Sequence, residues 1–504
     1  MALREAVRLS YSADYRFLVF VDCVEDDGTT ETTLPFSDRP FLQKSYIPDP
    51  TWNYVYFEPR VQSVLNITES MYGLGNAGGV VSPSTGSIVL ANGDGALDYM
   101  ADYYFDNKPV EILIGQPGET VVDGFFSIFR GVVLSVGFDE RTVTIEVSDL
   151  KEKLNKVFPP NDFTSGNANG SPKPVVLGQV FNVEPVLTNE TTNTYQVHDG
   201  AITSIDAVYE AGELLTGGGV DYTANLAKGT IALTSAPSGV ITVDATNDIT
   251  YGPPTNVNTA SAILYELAVE YAGLEPTTNP EVYGGGFFGP PTAYEVGGYF
   301  KERITVLEAM NQFLVSIGAS MVGKVENNNA IYPLVFEYPP TGGTPTIAEY
   351  VTDNDIIEIE MLPTVPPAWS VAVNYKKNYR PLSREELGAS PSDADYAVRP
   401  YLSVTDGGDK SATIYGSRDV FTVDSLITNV TDATTEAARL ADEIYEQTHK
   451  VFRIKMKGSP LSFGLGDIIA VTCSRFGIGS ERRMVIISKI IDLEANEITV
   501  EATF

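Results

Sequence analysis

Two stretches far apart in this chain carry the same strand-length alternation of apolar and polar side chains. Residues 110–115 read Val-Glu-Ile-Leu-Ile-Gly and residues 452–458 read Phe-Arg-Ile-Lys-Met-Lys-Gly, apolar at every second position and closed by glycine. Each is followed by an arginine-led apolar strand, Arg130-Gly-Val-Val-Leu-Ser135 and Arg483-Met-Val-Ile-Ile-Ser488. Closing strands come next, Thr142-Val-Thr-Ile-Glu-Val147 and Glu497-Ile-Thr-Val-Glu-Ala502. Val143, Ile145 and Val147 share one face, matched by Ile498, Val500 and Ala502. Thr144 and Glu146 share the other, matched by Thr499 and Glu501. Alternation with period two is the mark of a strand with one buried and one wet face. The lead-ins also agree, with Met100-Ala-Asp102 before the first unit and Leu440-Ala-Asp442 before the second. A spacing of roughly 350 residues is far beyond the ~20–50 of a solenoid, so the pattern implies one small domain used twice with other material between. The competing reading is that any two half-buried hairpins look alike.

The 504 residues provide for roughly three or four domains. Hydrophobic content of 43% and aromatic content of 10% suffice for packed cores and argue against disorder. Short apolar runs punctuated by Gly and Pro favour a mostly β chain. A formal net charge of −33 opposes ordinary nucleic-acid binding, which needs Lys and Arg to displace counterions. It serves solubility, or a surface that DNA must pass without adhering. Cys23 and Cys473 are the two cysteines, too few and too far apart for a disulfide framework, which points to synthesis in a reducing compartment. The charged start, Met-Ala-Leu-Arg-Glu-Ala-Val-Arg, is unlike a signal peptide, and nothing approaches the ~20 apolar residues of a membrane span; a soluble protein is expected.

Along the chain, 14–23 reads as an apolar strand ending in Asp26-Asp27-Gly28, and 35–59 as an irregular loop or arm. Residues 159–174 turn to Asn, Gly, Ser and Pro, a linker. From 175 to 252, short strands recur at roughly 8–12 residues, as in a small sandwich or barrel. Two helical stripes follow, Ile263, Leu264, Leu267, Ala268 and Tyr271, then Ile304, Leu307, Met310, Leu314 and Ile317, the second with a Thr305-x-x-Glu308 capping box. A hairpin spans 320–336, a helix is expected at about 433–448, and Arg380–Pro400 reads as an exposed polar loop. The fold class expected is mostly β with an α+β module. It is multidomain: 1–157 as N-terminal arm and first copy of the repeated β-barrel or sandwich domain, 170–252 as an inserted small β-domain, 256–355 as an α+β domain, and 356–504 as the second copy with one helix.

Chemistry is scarce. His198, in a Val-His-Asp-Gly turn, and His449, at the end of an acidic helix, lack the H-x-E, HExxH or CxxC neighbours of metal sites, and two histidines supply little for a nucleophilic triad. Gly93-Asp94-Gly95-Ala-Leu-Asp98 lacks the frame and terminal Glu of a calcium loop and reads as a tight turn that starts a short helix. Gly284-Gly-Gly-Phe-Phe-Gly289 has no following Lys-Ser/Thr, so it is no phosphate cradle; it reads as a mobile loop whose Phe287 and Phe288 dock on a partner. Among 66 acidic residues no local motif marks a carboxylate pair of the glycosidase kind. No catalytic, cofactor or metal residue is assigned, and no cofactor is expected.

Tyr56-Phe-Glu-Pro-Arg-Val61 and Ser82-Pro-Ser-Thr-Gly-Ser-Ile-Val-Leu-Ala-Asn-Gly-Asp-Gly-Ala-Leu-Asp98 together resemble the opening of tail hub proteins from long-tailed siphophages. Gly219-Val-Asp-Tyr-Thr-Ala-Asn-Leu-Ala-Lys-Gly-Thr-Ile-Ala-Leu-Thr234 and Ala236–Asp244 resemble the β insertion of that family. Leu465-Gly-Asp-Ile-Ile-Ala-Val-Thr472 through Val485–Asp492 are similar to its closing β-domain. The resemblance implies a non-enzymatic virion protein made in the bacterial host cytoplasm. It would form a homotrimeric tail-tip or baseplate hub whose two tube-like domains per subunit give six quasi-equivalent units. Its implied partners are the distal tail protein ring, the tape-measure protein and tip fibre or receptor-binding proteins. DNA would pass the lumen without specific binding during ejection. The alternative is a carbohydrate-binding or carbohydrate-processing β-protein acting at the cell envelope.

Overall fold

The computed structural model describes residues 15–504 except 44–54, 65, 72–83, 116–121, 250–257, 275–293, 326–330, 337–346, 364–366, 408–415, 417–418, 443–449, 458–462, 493–494 and 496. The chain is mostly β and built from several sheets. The first section supplies β1 (Arg16–Val24), β2 (Glu31–Ser37), β3 (Phe41–Leu42), β4 (Tyr56–Pro59), β5 (Val61–Ser63), β6 (Ile67–Ser70), β7 (Thr85–Ala91), β8 (Pro109–Gly115), β9 (Phe126–Phe138) and β10 (Thr142–Asp149). All but β6 form one nine-stranded sheet, β3-β4-β2-β1-β8-β9-β10-β7-β5. Its inner face holds Val19, Ile88, Leu90, Ile112, Val143, Ile145 and Val147, and Leu18, Phe41, Phe57, Leu113 and Phe125 cluster separately. Because both faces of β8 are covered, Leu113 is buried beside Ile112 and the simple alternation expected at 110–115 breaks down. The stretch expected to be an irregular arm instead carries β2, β3 and β4; β2 pairs with β1 from Leu18–Ser37 to Val24–Glu31. Gly131 is required where β9 crosses β10, since a Cβ there would lie 2.0 Å from the Ser148 carbonyl oxygen.

After β11 (Val157–Phe158), the middle section forms β12 (Val175–Val183), β13 (Val186–Asn189), β14 (Thr194–Gln196), β15 (Ser204–Glu210), β16 (Glu213–Leu214), β17 (Tyr222–Asn225), β18 (Thr230–Leu233) and β19 (Ile241–Asn247). A five-stranded sheet, completed by β20 (Gly297–Phe300), and the four-stranded β13-β14-β18-β17 share a core of Val180, Val197, Val208, Ile231 and Val243. Helix α1 (Ala260–Glu266) buries Ile263 and Leu264. After β21 (Ile304–Thr305), which pairs with β11, comes α2 (Val306–Ser316). Its capping box is present: Glu308 N–H donates to Thr305 Oγ1 at 3.1 Å and Thr305 N–H to Glu308 Oε2 at 2.7 Å. The hairpin β22 (Ser320–Val325) and β23 (Ile331–Phe336) follows.

The last section contains β24 (Ile347–Thr352), β25 (Ile356–Met361), β26 (Ser370–Tyr375), the short α3 (Ala394–Ala397), β27 (Leu402–Asp406), β28 (Val420–Asp424), α4 (Val430–Leu440), β29 (Val451–Lys457), β30 (Ile468–Thr472), β31 (Arg482–Asp492) and β32 (Glu497–Thr503). The second large sheet runs β24-β30-β31-β32-β29-β25, with β6 added to β31. Its core is continuous with α1, α2 and α4. The loop 380–400 is not a free exposed loop. Gly388 N–H donates to Ala211 O at 2.8 Å and Ser392 N–H to Gly212 O at 2.9 Å, and Leu382 and Tyr396 are buried.

Candidate functional surface, the two related sheets and their junction

The two large sheets match pair by pair. Strands β5, β7, β8, β9 and β10 stand in the order β8-β9-β10-β7-β5; β25, β29, β30, β31 and β32 stand in the order β30-β31-β32-β29-β25. Leu90–Val143, Ile88–Ile145 and Gly86–Val147 in one become Met456–Ile498, Ile454–Val500 and Phe452–Ala502 in the other. Both sheets bulge at the same place. Leu134 is skipped between the pairs Ser135–Glu146 and Val133–Val147, and Ile487 between Ser488–Glu501 and Ile486–Ala502. A second bulge recurs where Gln62 and Ile357 are skipped against Leu90–Val89 and Met456–Lys455. The turn into the next strand is shared as well. Asn107 and Gly466 both take positive φ, 58° and 78°, and donate to Val133 O at 2.9 Å and Ile486 O at 2.8 Å. Bulges interrupt a ladder at a definite position and re-aim the strand, so coincident bulges reflect a common design and not generic alternation.

This pairing corrects the correspondence expected from sequence. The arginine-led and closing strands do correspond, and the faces of Val143, Ile145 and Val147 and of Ile498, Val500 and Ala502 are buried as expected. The strand at 110–115, however, is the counterpart of 468–472, and 452–457 is the counterpart of 85–91. The lead-ins do not correspond either: Met100 lies in a 3-10 turn after β7, whereas Leu440 ends α4 before β29. The signal missed was the Asn107-Lys-Pro and Gly466-Asp-Ile turn before each of the true partners.

The sheets meet through β6. This strand leaves the first section and pairs with β31 of the last, Ile67–Ile491 through Ser70–Ser488, and Met71 N–H donates to Ile487 O at 2.9 Å. Lys489 is buried there; its Nζ donates to Phe463 O at 3.2 Å and lies 3.3 Å from Glu69 Oε2. Ile491, on the second sheet, packs into the core of the first. Nothing local in Ile67-Thr-Glu-Ser70 announces a strand that crosses to another sheet.

On its wet face the second sheet carries a cross-strand charge ladder. Arg453 lies 3.2 Å from Glu360 and 2.8 Å from Glu501, and Lys455 lies 2.6 Å from Glu497. Glu358 and, on the first sheet, Glu146 are exposed.

His198 is buried, its Nδ1 accepting from Val176 N–H at 3.0 Å, and burial lowers its pKa to about 4. His449, Phe287, Phe288 and the whole of 284–289 lie outside the described residues. Asp94 is occupied by Arg60 through two hydrogen bonds of 2.9 and 3.0 Å, which hold its carboxyl at about 2, and Asn92 closes the turn onto Asp98. The 93–98 segment is thus a turn preceding a 3-10 helix. Cys23 and Cys473 are buried free thiols, and burial pushes Cys23 up to about 11. Glu266 is raised to about 7, first by burial and then by Glu270. Among the described residues no group of three or more His, Cys, Asp or Glu could hold a metal, and no helix is long and apolar enough to cross a membrane.

No protein-family model and no curated protein matches the sequence. Among solved structures the chain is similar to the tail protein from Neisseria meningitidis MC58, at 10% identity over 97% of this chain and 96% of that one, TM-score 0.39. It is also similar to the 43 kDa tail protein of prophage MuSo2 from Shewanella oneidensis, at 9% identity over 89% and 95%, TM-score 0.38. A chain of the virion of the native gene transfer agent particle matches at 13% identity over 70% and 92%, TM-score 0.42. At such identities and scores the likeness carries no functional weight by itself.

Proposed function

We propose that the chain is a non-enzymatic structural protein of a bacteriophage tail, a trimeric hub at the tail tip that adapts a sixfold tail tube to threefold tip proteins and lines part of the DNA ejection channel. The observation that carries this reading is the register-matched duplication. Two sheets of one design in each subunit let three subunits present six similar units, a way for a threefold closed ring to meet a sixfold one. The formal net charge of −33 suits a lumen that repels the phosphate backbone. Tape-measure protein, the distal tail ring and tip fibres are the partners this role requires.

The test is the mass of the purified chain, alone and mixed with the distal tail protein, together with the position of the labelled chain in whole particles. A trimer, alone or formed on that partner, and label at the tail tip are expected. A monomer that retains or cleaves envelope glycans, with no label on the tail, would replace this role with the carbohydrate alternative.

A further inference from the structure

We infer that the outer part of β9, residues 134–138, is the edge on which the second sheet of another copy of this chain docks. This rests on the hub reading, because it supplies the contact between subunits that a ring needs. Ser135–Phe138 of β9 occupy the places of Ser488–Ile491 of β31, as fixed by the shared bulge and the pairs Ser135–Glu146 and Ser488–Glu501. On β31 that stretch is closed by β6, so that the chain's own first section abuts its second sheet. On the side of β9 away from β10 no described strand is paired with it: the ladder to β8 ends at Pro109–Val132.

Exposure differs accordingly at equivalent positions. Ile487 and Ile491 are each 4% exposed, whereas Leu134 is 38% and Phe138 is 42% exposed. The hydrogen-bonding direction agrees too. In an antiparallel ladder the backbone groups of successive residues point alternately to either side. Asp139 N–H donates to Thr142 O at 3.0 Å, so counting back along β9 turns the N–H and C=O of Phe138 and Val136 away from β10, toward the open side. An open edge with exposed apolar side chains is a template for an added strand.

Ile491 reaches from the second sheet into the core of the first. The same design repeated between subunits puts Phe138 against the second sheet of a neighbour. A first sheet meeting a second sheet within one chain, and a second meeting a first between chains, is a head-to-tail contact, the kind that forms a ring when its rotation closes. Strand β23 passes beside β9 within the chain without belonging to its ladder, so the test must separate it from a second copy.

Leu134→Lys with Phe138→Lys places two charges on this edge at exposed positions. Val136→Pro, tested separately, removes the central edge donor without touching a bond to β10. Analytical ultracentrifugation across concentration, circular dichroism and hydrogen exchange at the Val136 amide are the readouts, with Leu214→Lys on the distant inserted domain as control. Wild type and the control should assemble, alone or in the presence of the distal tail protein, and under the same condition both edge variants should need at least about tenfold higher concentration while remaining folded. Protection at Val136 should grow with assembly. Edge variants that assemble like wild type would overturn the inference while leaving a trimeric hub standing, as would full Val136 protection in dilute monomer, which would assign the edge to β23. A wild-type chain that is monomeric at every concentration and absent from tail tips would remove the hub reading itself.

Discussion

Glu266 and His198 pull the pH dependence of folding in opposite directions. Burial raises Glu266 from its ordinary 4.5 to about 7, so the folded chain holds that proton more tightly than the unfolded chain. The stabilisation from this group is complete below 4.5 and is lost as pH rises to about 7. His198 is lowered from 6.5 to about 4, so its neutral form belongs to the folded state and stability is lost as pH falls through that window. Glu266→Gln should therefore raise stability at pH 8 by on the order of 2 kcal/mol and make stability climb more steeply between pH 4.5 and 7. Urea midpoints that run parallel to wild type across this range would show that Glu266 ionises normally. Neither shift was readable from sequence. Burial of a single carboxylate is set by what packs over α1, whereas Thr305 and Glu308 announced their capping box because both partners lie within one turn.

At the scale of elements, β6 is held to β31 by four residue pairs and by one buried ammonium. Lys489→Ala leaves the Phe463 carbonyl without its donor and Glu69 without its counter-ion, and should cost about 2 kcal/mol. Lys489→Met keeps the packed stem and should cost clearly less, with both read from chemical denaturation and from amide exchange over 67–70. Equal losses would mean that the lost ammonium contacts carry the whole cost and that packing of the stem adds nothing. Strand existence was legible here because a half-buried strand writes its two faces into alternate residues, as in Val143, Ile145 and Val147 against Thr144 and Glu146. Strand correspondence was not, because every such strand writes the same alternation. Pairing partners and the skipped residues Leu134 and Ile487 identify which strand is which, and those exist only in the ladder.

For the whole molecule, the acidic balance is a prediction about transport through an assembled ring. Glu146→Lys and Glu358→Lys change exposed positions on the wet faces of the two sheets and should move stability by no more than about 0.5 kcal/mol. In the proposed channel they should slow DNA ejection from particles that assemble in normal numbers, more strongly at low salt. Ejection at the wild-type rate would remove these faces from the lumen. The sequence by itself determined that the chain is acidic, mostly β, built of several units and partly duplicated, because charge, period and turn residues are local properties. Only the tertiary structure decided that the duplication runs through β5, β7, β8, β9 and β10, that β6 crosses to the other sheet, and that no described strand is paired with 134–138 on the side away from β10. Strand order, register and burial are relations between distant residues, and no stretch of chain contains them alone.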